Sequence, residues 1–160
     1  MKCFIFAIVL LFESCTADKP IVIRQFEDLS EVYKDSSLGK EFFVFDDFFL
    51  VSNYQDKKDI ALKIDSFVID RVRTKSYPVN TTQVRFTFYK ESPKTNIEAI
   101  GRNKRDLLRY SNDHDLVYSY TLDVKGTYAR TKYQDGKLVD DNNKPIPLPR
   151  FTIKPIKITH

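Results

Sequence analysis

The chain has only two cysteines, and both lie close to its N-terminus, at Cys3 and Cys15. No thiol is present in residues 16–160. This absence excludes disulfide bonds, thiolate zinc sites, iron–sulfur clusters and cysteine nucleophiles from that part of the chain. Its 160 residues are enough for one adequate hydrophobic core, so we expect a single domain that is held by that core alone.

Glycine, tryptophan and histidine are also scarce. Four glycines argue against phosphate-cradling loops and glycine-rich repeats. Tryptophan is absent, whereas tyrosine and phenylalanine bring the aromatic fraction to 14%. The two histidines, His114 and His160, are far apart in sequence, so a multi-histidine metal site would need the C-terminal end to fold back. We therefore predict no metal site and no cofactor.

The charge balance is mildly basic, with a formal net charge of +4 at pH 7. Such a balance favours an anionic membrane surface or an acidic partner. It lacks the dense cationic character of a nucleic-acid binder, so no nucleic-acid partner is expected. Hydrophobic residues make up 42% of the chain, which is too many for a wholly disordered protein.

The N-terminal segment has the layout of an export signal. Lys2 supplies a positive charge, and an unbroken apolar run follows over residues 4–12. This run is shorter than the about 20 residues that span a bilayer as a helix, which argues against a permanent transmembrane segment. Glu13 ends the run, and the small residue Ala17 offers one cleavage point.

The end of this segment resembles the lipobox of bacterial lipoproteins, in which the cysteine is diacylated and becomes the first mature residue. The four residues that carry the resemblance are Phe12, Glu13, Ser14 and Cys15. It implies that the signal segment predicted over residues 1–17 is cleaved before Cys15, that Cys15 is lipidated and that the lipid anchors the protein to a membrane. Cleavage after Ala17 is the alternative, and it would release an unanchored secreted protein.

Residues 18–40 are predicted to form a tether or a short amphipathic helix. Apolar residues recur there at helical spacing, namely Phe26, Leu29, Val32 and Tyr33. The domain is expected over residues 41–160, and residues 42–51 are predicted to form a buried strand that is bent or bulged at Asp46 and Asp47. Adjacent strand residues face opposite sides, so these two carboxylates would not converge on one substrate. We interpret them as turn or rim residues.

The clearest helix is predicted over residues 56–73. Its apolar stripe is formed by Ile60, Ile64, Phe67, Val68 and Val72. Asp65 is expected to stay largely off this stripe, on the polar side. Asp56 and Asp59 near the start, with Arg71 and Arg73 near the end, oppose the helix dipole.

Alternating patterns predict most of the remaining elements. Strands are expected over residues 84–89, 116–124, 128–133 and 151–158, with short helices over residues 93–110 between the first two. Asp135 and Gly136 form a strong hairpin signal. Tyr118 and Tyr120 are predicted to pack in the core or across strands rather than to stack on sugars.

Three groups of side chains are candidates for chemistry or binding. His114 lies between Asp113 and Asp115, and one of these carboxylates would orient its imidazole in a catalytic site. A turn histidine is the alternative that we favour. Three arginines would share one helical face and could hold an anionic ligand there, namely Arg102, Arg105 and Arg109. The alternative is that this face is simply solvated. Residues 140–143 could bind calcium through their carboxylate and amide oxygens, but they lack the ligand spacing of an EF-hand.

We therefore predict an α+β domain in which one main amphipathic helix and short helices pack on a largely antiparallel sheet with a C-terminal meander. A cystatin-like or NTF2-like roll is one arrangement that this element order allows. The predicted function is a small binding protein of the bacterial cell envelope, lipid-anchored at the outer membrane or periplasmic face, that recognises another envelope protein or component without catalysis. The alternatives are an envelope hydrolase that uses His114 with a nearby aspartate, and a secreted eukaryotic protein.

Overall fold

The computed structural model describes residues 19–35, 39–57, 59–93, 95, 114–141, 144 and 146–153. Its elements, in chain order, are β1 Val22–Asp35, β2 Lys40–Ser52, α1 Ile60–Thr74, β3 Ser76–Tyr77, β4 Thr81–Lys90, β5 Leu116–Asp123, β6 Tyr128–Gln134, β7 Lys137–Val139 and β8 Thr152–Ile153. The described part does not include the predicted signal peptide or nearly all of the predicted helices over residues 93–110. It also does not include residues 154–160, which contain most of the strand predicted over residues 151–158.

Six strands form the main sheet in the order β1-β2-β4-β5-β6-β7, and β3 pairs with β8 in a second sheet of two strands. Neighbouring strands of the main sheet are antiparallel except β2 and β4, which are parallel. Parallel neighbours need a crossover connection, and α1 provides it. The predicted α+β class is confirmed at this level, as is the C-terminal meander of β4 to β7.

Residues 22–35 form a long strand, not the predicted tether or short helix. β1 pairs with β2 over nearly its whole length, from the partners Val22 and Ser52 to Asp35 and Lys40. The apolar spacing of this segment matched a helix locally, but a ladder of hydrogen bonds to an apolar neighbouring strand outweighs a weak local preference. Whether this segment forms a helix or a strand is therefore decided by β2, which lies later in the chain.

β2 runs straight through Asp46 and Asp47, so the predicted bend or bulge at these residues is wrong. The register shifts lie elsewhere, between Gln25 and Glu27 in β1 and at Phe43 and Val44 in β2. Neither aspartate is a turn or rim residue, because Asp46 is 5% exposed and Asp47 is fully buried. Their side chains point to opposite faces of the sheet, as strand geometry requires.

The core lies between α1 and one face of the main sheet. Most of the predicted helix stripe is fully buried there. Aromatic rings fill the interface: the Phe49 ring lies 5.0 Å from the ring of Phe67 and 5.0 Å from that of Phe88, and Phe88 is 5.7 Å from Tyr120. Tyr118 and Tyr120 are core residues, as predicted. Asp65 is buried among them, which corrects its predicted place on the polar side of the helix.

The hairpin between β6 and β7 is confirmed. Asp135 and Gly136 have φ angles of 48° and 75°, the left-handed conformation that both central residues of a type I′ turn adopt. This turn brings the end of β6 to the side of the sheet where β5 begins. At the other end of the domain, the ring of Tyr77 in β3 packs edge-on against that of Phe151, 5.6 Å away.

Candidate functional site

A buried ionic network joins α1 to β5 and β6. The carboxylate of Asp65 accepts a hydrogen bond from the Tyr120 hydroxyl at 2.6 Å and another from the Arg130 guanidinium at 2.5 Å. A second guanidinium nitrogen of Arg130 lies 2.6 Å from Asp141. The side chains of Asp65 and Arg130 are each 1% exposed. We call these four residues the Asp65 network.

The electrostatics of the Asp65 network fix its protonation. Burial and the hydrogen bond to Asp65 both raise the pKa of Tyr120 above its ordinary value. Burial opposes the charge of Arg130, but its contacts with Asp65 raise the pKa of the guanidinium overall. The network therefore consists of a neutral phenol and a permanent cation that both donate to Asp65, with Asp141 as a second ion-pair partner of the cation.

Three further ion pairs use the adjacent aspartates of β2. On the helix side, Asp47 accepts from Lys75 Nζ at 2.7 Å and from Arg71 Nε at 3.2 Å. On the opposite side, Asp46 accepts two hydrogen bonds of 2.5 Å from Arg85. Each buried carboxylate thus has a cation of its own, and the arrangement holds α1 and β4 to β2 rather than presenting two acids to a substrate.

A cleft of about 240 Å³ opens at the end of the sheet where β4 ends and β5 begins. Four segments of the chain build it: the loop before α1, the end of β4, the start of β5 and the β6–β7 turn. Its polar lining is Tyr54, Asp56, Lys90, His114, Tyr133, Gln134 and Asp135. We call it the Tyr54–Tyr133 cleft. A second, more open cleft of about 480 Å³ lies along β6 and β7, beside Arg130 and the exposed Leu138.

Local structure explains how these side chains reach the Tyr54–Tyr133 cleft. Asn53, with a φ of 56°, turns the chain sharply after β2 and sends Tyr54 and Asp56 towards β6. There Lys132 Nζ lies 2.8 Å from Asp56 and holds the loop against the strand. The type I′ turn places Asp135 opposite the last residue of β4, and Lys90 Nζ lies 3.8 Å from the Asp135 carboxylate.

The polar groups of this cleft retain hydrogen-bonding capacity. The distance of 3.8 Å between Lys90 and Asp135 is too long for a hydrogen bond, so the Lys90 ammonium can donate to a ligand and the Asp135 carboxylate can accept from it. Burial, followed by the charges of Asp56 and Asp141, raises the pKa of Tyr54 above its ordinary value, so its hydroxyl stays protonated. Within the described part of the chain, the side chains of His114 and Tyr133 make no hydrogen bond.

The predicted catalytic residues only partly come together. His114 is exposed and lines the cleft. The Asp115 carboxylate is buried and accepts a hydrogen bond from Ser92 Oγ at 2.5 Å. It makes no hydrogen bond to the His114 imidazole in the described part of the chain. Asp113, the lipidation candidate Cys15 and the three arginines Arg102, Arg105 and Arg109 lie outside the described residues. In the predicted acidic turn, Asp140 is exposed, whereas Asp141 belongs to the Asp65 network.

Sequence reasoning missed Tyr54, Lys90 and Tyr133. They come from three separate segments, and no short motif joins them. The available signal was the Asp135–Gly136 turn, since a tight hairpin places the residues beside it at one end of a sheet. Tyr133 is two residues before that turn.

Among the residues that the structure describes, no group of three or more histidine, cysteine, aspartate or glutamate side chains is arranged to hold a metal ion. In the same residues, no helix is long and apolar enough to cross a bilayer. Comparison of the chain with models of known protein families, with curated protein sequences and with solved structures gave no match.

Proposed function

We propose that the protein is an exported, lipid-anchored binding protein of the bacterial cell envelope and that it engages its ligand or partner at the Tyr54–Tyr133 cleft. The observation that carries this proposal is the set of polar side chains with unused hydrogen-bonding capacity around one concave site. Pockets that combine apolar walls with a few convergent polar groups are typical binding sites. In the Asp65 network, by contrast, Asp65 and Arg130 are buried and already bonded to each other.

The contacts of His114 favour binding over catalysis. A catalytic histidine is typically hydrogen-bonded to a nucleophile and oriented by a third group such as a carboxylate, whereas the neighbouring carboxylate of Asp115 is bonded to Ser92. The rival function is an envelope hydrolase. It is supported by the position of His114 in the same cleft as Asp56 and Asp135, because a substrate could bring these groups together.

Two measurements separate binding from hydrolysis. A photo-crosslinking amino acid at position 114 is expected to capture a specific envelope component, whereas the same group at the exposed control position Val124 captures none. The purified protein is expected to be inactive against a broad panel of ester, amide and glycoside substrates. Turnover that disappears in the His114→Ala variant would replace the binding function with the hydrolase.

The export and anchor part of the proposal is supported by the apolar run over residues 4–12 and by the lipobox-like end at Cys15. Growth with a clickable palmitate analogue is expected to label the wild-type protein and not the Cys15→Ser variant. Intact mass spectrometry then identifies the first mature residue. An unacylated chain that starts at Asp18 would indicate the secreted alternative.

A secreted eukaryotic protein is a further candidate because Asn80 begins an N-glycosylation sequon and is exposed in the turn before β4. Detection of a glycan at this residue on the native protein would favour it. A bacterial lipoprotein is expected to carry none. The Asn80→Gln variant provides the matched control, since it removes the acceptor at a position where the side chain is exposed.

We also propose that the main sheet curves around α1 as a roll of the cystatin-like or NTF2-like kind. Support comes from the burial of β2, β4 and β5 side chains against this one helix. An experimental structure would test this description, and the feature to check is the parallel pairing of β2 with β4, which α1 connects.

A further inference from the structure

We propose that the Tyr54–Tyr133 cleft binds one neutral sugar ring of an envelope glycan. This inference rests on the proposed binding function and names the chemical class of the ligand. It depends on three properties of the cleft: its volume, its mixture of hydrogen-bond donors and acceptors, and its aromatic walls.

The volume favours a small, compact ligand. At about 240 Å³, the cleft is smaller than the about 300–1,000 Å³ of pockets that enclose drug-sized molecules. A single six-membered ring with its hydroxyl groups fits this space, whereas a dinucleotide or a folded peptide segment does not. The rest of a glycan chain would extend into solvent past the exposed His114.

The hydrogen-bonding groups suit hydroxyls. A sugar hydroxyl donates one hydrogen bond and accepts others, so adjacent hydroxyls need a donor and an acceptor side by side. Lys90 and Asp135 provide this pair, with 3.8 Å between the ammonium nitrogen and the carboxylate oxygen. The protonated hydroxyl of Tyr54 adds a second donor. Gln134, which also lines the cleft, offers both functions in one amide.

The walls provide an apolar surface for the carbon-bound hydrogens of the ring. Tyr54 and Tyr133 contribute aromatic carbon to the lining, and Leu116 and Val117 at the start of β5 contribute aliphatic carbon. Tyrosine combines an apolar ring with a polar hydroxyl, which matches a ligand that is apolar on one side and hydroxylated at its edge.

The charges favour a neutral ligand. The two carboxylates of the cleft each have an ammonium group near them, Lys132 at 2.8 Å from Asp56 and Lys90 at 3.8 Å from Asp135. The lining therefore carries little net charge, and it would attract neither a phosphate nor a strong cation. Arginine, which recognises phosphate and carboxylate groups by its planar fork, is absent from the described lining of this cleft.

Saturation-transfer NMR on the full mature protein tests the proposal. The probes are glucose, galactose and N-acetylglucosamine, with inositol phosphate as a charged comparison. At least one sugar is expected to bind with a dissociation constant on the order of 1 mM, as a single exposed ring allows few contacts. Inositol phosphate is expected to give no transfer from the cleft.

Variants locate the bound sugar. Tyr133→Leu removes one of the two aromatic rings of the cleft and is expected to weaken binding about tenfold or more. Tyr133→Phe keeps the ring, so a smaller loss of affinity is expected. Asp135→Asn removes the charge but keeps a side chain that tolerates the left-handed turn, and a several-fold loss is expected. The matched control is Leu138→Ala, which lies on the same hairpin outside the cleft and should bind like wild type.

Binding that persists unchanged in both Tyr133→Leu and Asp135→Asn, or a lack of binding by every sugar, overturns the proposal. The two possible sources of the ring are then compared with soluble polysaccharide fragments and with vesicles that display a glycolipid, and binding to either supports the sugar class.

Failure of the sugar class is distinguishable from failure of the proposed function. If no sugar binds but the crosslinker at position 114 captures an envelope protein, the ligand class is wrong and the binding function stands. If a glycoside is bound and cleaved in a reaction that requires His114, the sugar class stands and the proposed absence of catalysis is wrong.

Discussion

The Asp65 network and the Tyr54–Tyr133 cleft are both rich in charged and phenolic side chains, yet they differ in how these groups are satisfied. In the network, Asp65 and Arg130 are each 1% exposed and every hydrogen bond is made within the protein. In the cleft, Lys90 and Asp135 approach each other only to 3.8 Å and face solvent. A closed set of polar groups stabilises a fold, whereas an incomplete set on a concave surface can bind a ligand.

This difference predicts that substitutions in the network lower stability and that substitutions in the cleft do not. The largest effect is expected for Asp65→Ala. It leaves the buried Arg130 without its closest carboxylate and Tyr120 without an acceptor, and breaking a buried pair in this way costs about 3–5 kcal/mol. Urea denaturation would measure the loss of unfolding free energy.

The control for Asp65→Ala is Asp70→Ala, which changes an exposed aspartate on the same helix and is expected to stay within about 0.5 kcal/mol of wild type. Alanine is the better helix former, so a loss of similar size in both variants could not come from helix propensity and would mean that the Asp65 network has no special part in the stability of α1.

A smaller loss is expected for Tyr120→Phe. This change keeps the ring in the aromatic core and removes only the hydroxyl that donates to Asp65 at 2.6 Å. Hydrogen bonds to charged groups contribute about 1.5–3 kcal/mol, so the free energy of unfolding should decrease by an amount in that range. An unchanged denaturation midpoint would show that water or Arg130 alone satisfies the carboxylate.

Alkaline pH offers a test that needs no substitution. Burial raises the pKa of Tyr54, Tyr118 and Tyr120 above the ordinary value of 10.0. Above about pH 10, the unfolded chain therefore binds fewer protons than the native protein, and stability must fall as the pH rises. Each such tyrosine contributes up to about 1.4 kcal/mol per pH unit. Phenolate absorbance should show these groups ionising only as the protein unfolds.

The smallest stability effect is expected for His114→Ala. The side chain is exposed and makes no hydrogen bond within the described residues, so the change in unfolding free energy should be within about 0.5 kcal/mol. Thermal unfolding followed by circular dichroism would measure it. A loss above 1 kcal/mol, by the same scale, would assign His114 to the fold and remove the contrast between the two regions.

Periodicity predicted the elements whose buried face is set by local spacing. The stripe that begins at Ile60 and the alternation through Tyr118 and Tyr120 are examples. It did not predict β1, because the helical spacing of that segment is outweighed by pairing with β2. It also misplaced Asp65, since the cation that makes burial of this carboxylate tolerable, Arg130, lies 65 residues later in the chain.

The candidate site could be predicted only in part for the same reason. His114 stands out because histidine is rare in this chain, and the Asp135–Gly136 turn has a strong local signal. Tyr54 and Lys90 carry no such signal. They belong to the cleft because of where β2 and β4 end, which depends on the order of strands in the sheet.

The pairing of β8 with β3 has a consequence for the order in which the domain is completed. Strands of the main sheet are joined to neighbours that come soon before or after them, but Ser76 and Tyr77 must wait for Thr152 and Ile153. A nascent chain that has not yet delivered Phe151 lacks one of the two aromatic rings that pack on Tyr77, the other being that of Phe45. Residues 151–153 thus complete a surface that is begun by Ser76 and Tyr77, and a truncation before Phe151 would remove this cover without removing any strand of the larger sheet.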